Sequence, residues 1–451
     1  MSCSHNDALG LYTSIPFCRS KCTYCNFASG VYPASEHARY VERLIQDLAA
    51  TGEWAARMNL ELPRQVDTVY LGGGTPSLLA PELLARLFAA MRAEFDFEPE
   101  AEITVECAPG QLADETLEAL ATAGVNRVSL GVQSFIDREA QDCGRLHNRA
   151  TVVEDLRRLR GAGISNLNVD LIAGLAGQTP ASWEESLAAL VESGVPHASI
   201  YMLEVDEDSR LGREMLAGGA RYHAGLVPAD DAIAQMYSRA IERLGAAGLG
   251  QYEISNFSRT GFASRHNLRY WQRRPYLGLG LDASSMLREA LQAADSAGPG
   301  YVLRSTTTDD LGAFLEGPKP GSPRPPRRIR PWGGEPGSPR TGLRPWGGEP
   351  VETAWLSPAR QHEEAWFLGL RLNVGVDVAA LEREFSKEMV ARAMETVGRL
   401  VEAGLLTSDG KTVRLTAQGQ LLANDVFQEF LGLGAEEGEV GISPSPALPT
   451  R

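Results

Sequence analysis

Short apolar and β-branched runs alternate with longer helical patterns from Leu9 to Met202, and this alternation constrains the fold more than any other feature. The predicted strands are Leu9–Ile15, Val66–Leu71, Glu102–Glu106, Arg127–Gly131, Asn166–Leu171 and Ala198–Met202. The predicted helices between them include Glu36–Met58, Glu82–Phe95, Asp114–Thr122, Thr151–Ala162 and Pro180–Ser193. Because such alternation gives parallel strands with right-handed crossovers, the sequence predicts an α/β fold, a partial (β/α)6 TIM-like barrel.

Chemically distinctive residues lie at, or just after, the end of each of the six predicted strands. Barrel chemistry collects at the C-terminal ends of the strands, so residues there are the first candidates for a functional site. In strand order they are Cys18, Cys22 and Cys25; Gly72 to Pro76; Glu106; Gln133; Asp170; and Tyr201 with Glu204. Any one of them is ordinary loop chemistry, but six in equivalent positions indicate a single site at the mouth of the barrel.

The three cysteines Cys18, Cys22 and Cys25 form a C-x3-C-x2-C triplet directly after the first predicted strand. Soft thiolate donors suit an iron–sulfur cluster, and a [4Fe–4S] cluster held by three cysteines keeps one iron open for chemistry. The position where a further cysteine could follow holds Phe27. The alternatives are a zinc site, which normally requires four ligands, and three unconnected core thiols.

The triplet, with the aromatic Tyr24 directly before its last cysteine, resembles the signature of radical S-adenosylmethionine (SAM) enzymes. The resemblance implies that SAM chelates the open iron through its amino and carboxylate groups. An electron passed through the cluster, from a donor such as a flavodoxin or ferredoxin, would then cleave SAM to methionine and a 5′-deoxyadenosyl radical. The cofactor carries this chemistry, while the protein positions SAM and excludes water and oxygen.

Further residues match SAM-contacting or cluster-flanking positions of the subgroup related to oxygen-independent coproporphyrinogen III oxidase. The implied cofactor-binding set is Tyr12, Tyr24, Gly73, Gly74, Thr75, Glu106, Gln133, Arg145 and Asp170. In this set Glu106 and Asp170 would accept hydrogen bonds from ribose hydroxyls, and Arg145 would pair with the SAM carboxylate. One departure from the subgroup is the run Cys107-Ala108-Pro109, where relatives usually have a small residue and asparagine before proline.

A histidine stands beside aromatic residues in the run His266-Asn267-Leu268-Arg269-Tyr270-Trp271. From the residues alone, His266 is either a packed, hydrogen-bonded core histidine or an axial ligand of haem iron. The HN-x-x-YW pattern resembles a motif of the haem-handling branch of the subgroup. That resemblance implies haem contacts from His266, Asn267, Tyr270 and Trp271, and the structural alternative stays open.

The composition limits the partners and the compartment. The chain has 43 Lys and Arg against 58 Asp and Glu, a formal net charge of −15, which argues against nucleic acid as a partner. Six cysteines, three of them in one motif, indicate a reducing compartment rather than a disulfide framework. Without an apolar leader or a run of about 18 apolar residues, we expect a soluble, cytoplasmic protein.

Composition also divides the chain into segments. We expect residues 1–285 to form the barrel with the cluster, SAM and haem sites. Residues 286–317 are expected to connect the barrel to the segments that follow, and residues 434–451 to be a disordered tail. The stretch 318–350 has ten prolines and seven glycines and repeats the run Arg-Pro-Trp-Gly-Gly-Glu-Pro, so we expect a disordered insertion. Residues 351–433 are predicted to form a small winged-helix-like domain.

The helices predicted in this second domain are Glu363–Arg371, Val378–Phe385, Lys387–Ala403 and Gln418–Phe430. The run from Gly404 to Thr416 predicts a hairpin that turns at Asp409-Gly410. Helices followed by a hairpin are typical of a winged helix, and the family resemblance implies a lid or partner surface rather than a DNA-binding unit.

The resemblance implies a radical SAM haem chaperone, which binds a [4Fe–4S] cluster, SAM and haem as cargo. Its implied partners are apo-haemoprotein clients, membrane-associated respiratory proteins among them, and it could form a homodimer. The alternatives are the oxygen-independent coproporphyrinogen III oxidase itself, a haem-degrading radical SAM methyltransferase, and a radical SAM enzyme for an unrelated substrate. Phe27, where the oxidase has an additional cysteine, and the HN-x-x-YW run favour the chaperone.

Overall fold

The computed structural model describes residues 8–290, 299–316 and 352–433. The strands of its larger sheet are β1 (Leu9–Ile15), β2 (Gln65–Gly73), β3 (Asp96–Cys107), β4 (Arg127–Gln133), β5 (Asn166–Ala173), β6 (His197–Met202), β7 (Gly250–Glu253), β8 (Asn256–Ser258), β9 (Tyr276–Gly280), β10 (Ser284–Arg288), β11 (Val302–Thr306) and β12 (Glu352–Leu356). Their order is β12-β11-β10-β9-β1-β2-β3-β4-β5-β6-β8-β7. The central run from β9 through β1 to β6 is parallel, and antiparallel strands extend both edges.

Helices cover this sheet, as the alternating pattern predicts. They are α1 (Ala34–Arg57), α2 (Pro81–Glu94), α3 (Asp114–Thr122), α4 (Asp137–Asp142), α5 (Arg149–Gly161), α6 (Pro180–Glu192), α7 (Arg210–Leu216), α8 (Asp230–Ala246), α9 (Arg265–Trp271) and α10 (Leu311–Glu316). In α1 the residues Tyr40, Val41, Leu44 and Leu48 are buried, which is one helical face packed on the sheet. The predicted α/β fold is confirmed, and the parallel part gains one strand, β9, next to β1.

Residues 250–258 form an antiparallel pair, β7 and β8, because the chain reverses between Glu253 and Asn256. One predicted strand boundary was wrong. Strand β3 begins at Asp96 rather than at Glu102, since its polar first half pairs with β2 from Gln65 onward. That half is largely solvent-exposed, so its hydrophobic pattern carries no strand signal.

The segment 286–317, expected to connect two domains, contributes β11 and the end of β10 to the large sheet. The edge strand β12 also belongs to this sheet, although sequence placed it in the C-terminal domain. The predicted disordered insertion 318–350 and the tail 434–451 lie outside the described residues. None of the helices described by the structure is long and apolar enough to cross a membrane.

The C-terminal part has its own small sheet and core. Its elements are α11 (Pro358–Gly369), β13 (Val376–Asp377), α12 (Val378–Glu384), α13 (Lys387–Glu402), β14 (Leu406–Ser408), β15 (Thr412–Leu415), α14 (Ala417–Leu421) and α15 (Ala423–Gln428). The hairpin β14–β15 turns at Asp409-Gly410 as predicted, with Gly410 at φ 81°. The single helix predicted over Gln418–Phe430 is broken at Leu422, which has φ −110° and ψ 29°. In the core, Trp366 stacks on Phe430 with ring centroids 5.3 Å apart.

A fully buried arginine holds the start of the barrel together. Arg269 of α9 donates to the carbonyl oxygens of Ala8 at 2.7 Å and Pro275 at 2.8 Å, and its Nη2 pairs with the carboxylate of Asp67. These bonds join α9 to the entry of β1, to β2 and to the entry of β9. A side chain at Gly10 would overlap Arg269, so the close approach of β1 requires glycine at that position.

Replacing Arg269 by methionine is expected to lower the free energy of unfolding by about 3–5 kcal/mol, because it removes three buried hydrogen bonds of a charged donor, although Arg274 still pairs with Asp67 at 2.7 Å. Urea denaturation measures this change. The matched control is Arg265→Met, which removes an exposed arginine 3.7 Å from the same carboxylate and is expected to cost about 1 kcal/mol or less. Equal losses from the two substitutions would contradict the anchoring role of Arg269.

Candidate active site

The cysteines lie in a loop that the backbone closes directly after β1. Gly30 N donates to Pro16 O at 2.8 Å, and Cys18 N donates to Gly30 O at 2.9 Å. The loop thus begins and ends at the carboxyl end of β1, the position at which barrels carry their chemistry. On its far side, Thr23 N donates to Cys143 O at 3.1 Å, which attaches the loop to the segment after α4.

The glycine turn after β2 is hydrogen-bonded to the entry of the cysteine loop. Gly74 N donates to Ile15 O and Thr75 N to Phe17 O, both at 2.8 Å. A Cβ at Gly74 would lie only 2.8 Å from both of these carbonyl oxygens. Glycine is therefore required there, because any side chain would force the turn away from the cysteines.

Each cysteine sulfur of the triplet has a polar neighbour. The pairs are Cys18 Sγ with Thr75 Oγ1 at 3.9 Å, Cys22 Sγ with Arg145 Nη1 at 3.6 Å, and Cys25 Sγ with Ser29 Oγ at 3.8 Å. Hydrogen-bond donors of this kind complement the negative charge of thiolates bound to a metal cluster. The contacts also show that the turn after β2 and the segment after β4 reach the cysteine loop.

The three thiols are neighbours and suit an iron–sulfur cluster. Burial raises the pKa of Cys18, and the nearby thiols of Cys25 and Cys22 raise it further. In the part of the chain that the structure describes, no three His, Cys, Asp or Glu side chains are arranged as a site for one metal ion. A soft, all-sulfur donor set on one loop is the set that a [4Fe–4S] cluster takes, and the residues present therefore fit that group.

The carboxylate of Glu106 lies against the glycine turn. Its Oε2 accepts from Gly73 N at 3.2 Å, and its Oε1 accepts from the Tyr70 hydroxyl at 2.8 Å. A Cβ at Gly72 would lie 2.9 Å from Glu106 Oε1, so this glycine lets the carboxylate approach the backbone. Sequence reasoning missed Tyr70, although its position two residues before Gly72 places it on the same face of β2.

Arg145 connects the cysteine loop to the end of β4. Its Nη2 donates to the Gly131 carbonyl, and its Nη1 faces the Cys22 sulfur. The end of β4 is irregular, because its pairing with β5 shifts register between Gly131 and Gln133 and Gln133 has φ 70°. This bulge turns Gln133 out of the regular alternation of the strand.

Asp170 is oriented by two donors from neighbouring positions inside the barrel. Its Oδ2 accepts from Ser129 Oγ at 2.9 Å and its Oδ1 from Asn168 Nδ2 at 2.7 Å. The Asn168 amide oxygen faces His197 Nδ1 at 2.6 Å. Burial raises the pKa of Asp170, and these hydrogen bonds act in the opposite direction. Sequence reasoning missed Ser129 and Asn168, which share the inward face of their strands with the predicted residues.

The two predicted aromatic residues occupy different places. Tyr24 packs beside Cys143 and the loop after β5, where burial and then the Cys22 thiol raise its pKa well above the usual value. Tyr12 lies inside the barrel, with its ring centroid 6.1 Å from that of Tyr70. Tyr24 therefore belongs to the cysteine loop itself, whereas Tyr12 belongs to an aromatic group inside the barrel.

His266 belongs to that deeper group. It is 1% exposed, with Nδ1 3.0 Å from Thr68 Oγ1 and Nε2 2.9 Å from the Tyr270 hydroxyl. Burial lowers the pKa of His266 to about 3, so the imidazole is neutral. Its ring centroid lies 5.2 Å from that of Tyr70. Both ring nitrogens have partners in this arrangement, which is that of a packed, hydrogen-bonded histidine.

Of the other members of the HN-x-x-YW run, Asn267 lies in the first turn of α9, and Tyr270 and Trp271 lie at its end. Asn267 N donates to the capping Ser264 Oγ at 3.3 Å, and both Asn267 and Tyr270 are partly exposed. Trp271 is 9% exposed and packs against the C-terminal part. The run therefore spans from the interior of the barrel to the contact between the two parts of the chain.

Comparison with protein families and known proteins extends this picture. A model described as the Radical SAM superfamily matches residues 12–190, and one described as the HemN C-terminal domain matches 356–422. The solved structure of coproporphyrinogen III oxidase (HemN) from Escherichia coli, a radical SAM enzyme, aligns with a TM-score of 0.72 and 21% identity. This alignment covers 94% of this chain and 90% of the oxidase, and it shows that the two proteins share a fold.

Curated proteins named "Heme chaperone HemW" match almost end to end. The protein of Lactococcus lactis is 31% identical over 420 residues, which cover 93% of this chain and 96% of the relative. That of Bacillus subtilis is 31% identical over 422 residues, covering 93% and 98%. Given this extent, and the cysteine loop and glycine turn described above, the chain belongs to the heme chaperone HemW family of radical SAM proteins, whose cofactors are a [4Fe–4S] cluster and SAM.

Proposed function

We propose that this protein binds haem and transfers it to apo-haemoprotein clients, using a [4Fe–4S] cluster and SAM as resident cofactors. The observation that carries the proposal is the end-to-end match to curated proteins named heme chaperone HemW. The cysteine loop supports it, since Phe27 is 43% exposed where the oxidase is expected to carry a further cysteine. On family resemblance alone, we further propose that the clients include membrane-associated respiratory proteins and that a flavodoxin or ferredoxin donates the electron. The same resemblance supports a homodimer and a cytoplasmic location.

We propose that SAM binds between the cysteine loop and the strand ends of β2, β3, β4 and β5. The residues assigned to it are Tyr12, Tyr24, Gly73, Gly74, Thr75, Glu106, Gln133, Arg145 and Asp170. The turn with Gly73 and Gly74 packs directly against the entry of the cysteine loop, and the carboxylates of Glu106 and Asp170 are each held in place by two donors. When bound, SAM and the cluster supply radical chemistry, and these residues orient the cofactor and keep water out.

We propose that the HN-x-x-YW run contacts haem, with His266 as the axial ligand. A neutral imidazole is the form that binds iron, and the low pKa of His266 keeps it neutral. Ligation requires the Tyr270 hydroxyl to move away from Nε2, and the partial exposure of Tyr270 gives it room to move. Thr68 would stay on Nδ1 and fix the orientation of the ring, as partners of haem-bound and metal-bound histidines do.

The proposed function is tested with protein whose cluster has been reconstituted without oxygen. Titration with ferric haem should produce a saturable Soret change, and the loaded protein should restore the spectrum of an apo-haemoprotein. The same sample, given coproporphyrinogen III, SAM and a reductant, should yield no vinyl product. Absence of haem binding, or formation of the vinyl product, would contradict the proposal.

The Glu106→Gln substitution tests the SAM site. Replacing one carboxylate oxygen by an amide removes a charged acceptor, so the Kd for SAM should rise about tenfold while iron and sulfide content stays unchanged. The matched control is Glu100→Gln, which changes an exposed glutamate of the same strand, β3. If both variants bind SAM as the unmodified protein does, Glu106 does not contact SAM.

The His266→Ala and Tyr270→Phe substitutions test the haem ligand. His266→Ala should weaken haem binding about tenfold or more with the cluster and SAM affinity preserved. Tyr270→Phe removes the hydroxyl that occupies Nε2, so haem affinity should stay equal or increase. Haem titrations and cluster absorbance measure both effects. If His266→Ala binds haem as tightly as the unmodified protein does, His266 is not the haem ligand and its role is structural.

A further inference from the structure

A buried arginine at the contact between the two parts of the chain has unused hydrogen-bond donors. Arg371 directly follows α11 and Leu370, and its side chain is 3% exposed. Its backbone carbonyl accepts from Ile254 N at 3.1 Å, which fixes the residue against the barrel. Its Nε and Nη2 atoms have no hydrogen-bond partner among the residues that the structure describes. A buried guanidinium without such partners is costly, so these donors call for a ligand or an anion.

Other unpartnered polar atoms surround the same guanidinium. Its carbon lies 4.2 Å from the ring centroid of Trp271, whose indole Nε1 has no partner within the described part of the chain. Nη2 forms an ion pair with Glu253 Oε2 at 4.0 Å, too far for a hydrogen bond, and that oxygen accepts no hydrogen bond from the described residues. Glu253 accepts a hydrogen bond from Asn256 Nδ2, and the Oδ1 atom of Asn256 has no hydrogen-bond partner among the described residues.

The unused groups are richer in donors than in acceptors. Arg371 offers one N–H on Nε and two on Nη2, and Trp271 adds one, whereas Glu253 and Asn256 each offer one oxygen. Glu253 balances the charge of Arg371 without accepting a hydrogen bond from it, and ordered water could bridge single donors. A carboxylate supplies two acceptor oxygens in one group, and it matches the planar donor geometry of arginine.

The charges around Arg371 come from three elements. Glu253 of β7, Glu204 and Tyr201 at the end of β6, and Tyr237 of α8 all act on it. Burial raises the pKa of Glu253 and lowers that of Arg371, and the attraction between the two groups opposes both shifts. Tyr201 in turn interacts with Asp170.

We propose that Arg371, together with the indole N–H of Trp271, binds a propionate carboxylate of haem. The assignment rests on the proposed haem function and adds to it the group that recognises the anionic edge of the porphyrin. It gives Trp271 a donor role within the HN-x-x-YW run. The carboxylate would satisfy donors contributed by both parts of the chain and so join them when haem is bound.

The test compares ferric haem with its dimethyl ester, which keeps the iron and the ring but has no carboxylates. The reconstituted full-length protein should bind haem about tenfold to a hundredfold more tightly than the ester. In Arg371→Met this preference should fall to about twofold or less, with the affinity for the ester unchanged. The control is Arg304→Met, which removes a buried arginine that is already paired with Glu364 at 2.8 Å and should keep the preference.

The outcomes separate this proposal from the haem function itself. If the unmodified protein binds neither compound, the proposed function fails and the propionate site fails with it. If it binds both equally, or if Arg371→Met keeps the preference, the propionate site is wrong and the haem function stands. Should Arg371→Met not fold, Arg371→Lys provides the second variant, and its preference should fall because lysine lacks the Nε donor and the planar fork.

Discussion

The glycine turn after β2 and the entry of the cysteine loop are joined by two backbone hydrogen bonds, and the rest of the site depends on them. Gly74 N and Thr75 N donate to Ile15 O and Phe17 O, and no side chain fits at Gly74. This pairing places Thr75 beside the Cys18 sulfur and sets Gly73 against Glu106. The thiols of the cysteine loop and the carboxylate of Glu106 are thereby held at the same end of neighbouring strands, where we propose that the cluster and SAM bind.

A second constraint ties the HN-x-x-YW run to the barrel. Arg269 within that run is buried among the entries of β1 and β9, while His266 faces the interior toward Tyr70. Because Tyr70 also donates to Glu106, one aromatic side chain contacts both the proposed SAM site and the proposed haem site. The two proposed sites are therefore neighbours on either side of the Tyr70 ring.

Much of the fold and part of the site could be predicted from sequence, because both follow local rules. Strand–helix alternation gave the parallel sheet, and strand ends gave the cysteines, the glycine turn and Glu106. Tyr70, Ser129 and Asn168 were missed, since naming them requires knowing which face of each strand points inward. Arg371 was beyond reach altogether, because its contacts with Trp271 and Glu253 form only when the C-terminal part packs on the barrel.

The most direct test of the account is electron paramagnetic resonance of the reduced, reconstituted protein before and after SAM is added. The account predicts about four irons and four sulfides per chain. It also predicts a cluster signal whose g values change on SAM addition, because the family resemblance implies that SAM would bind the iron left without a cysteine ligand. A bound zinc ion, or a cluster signal that SAM leaves unchanged, would contradict it.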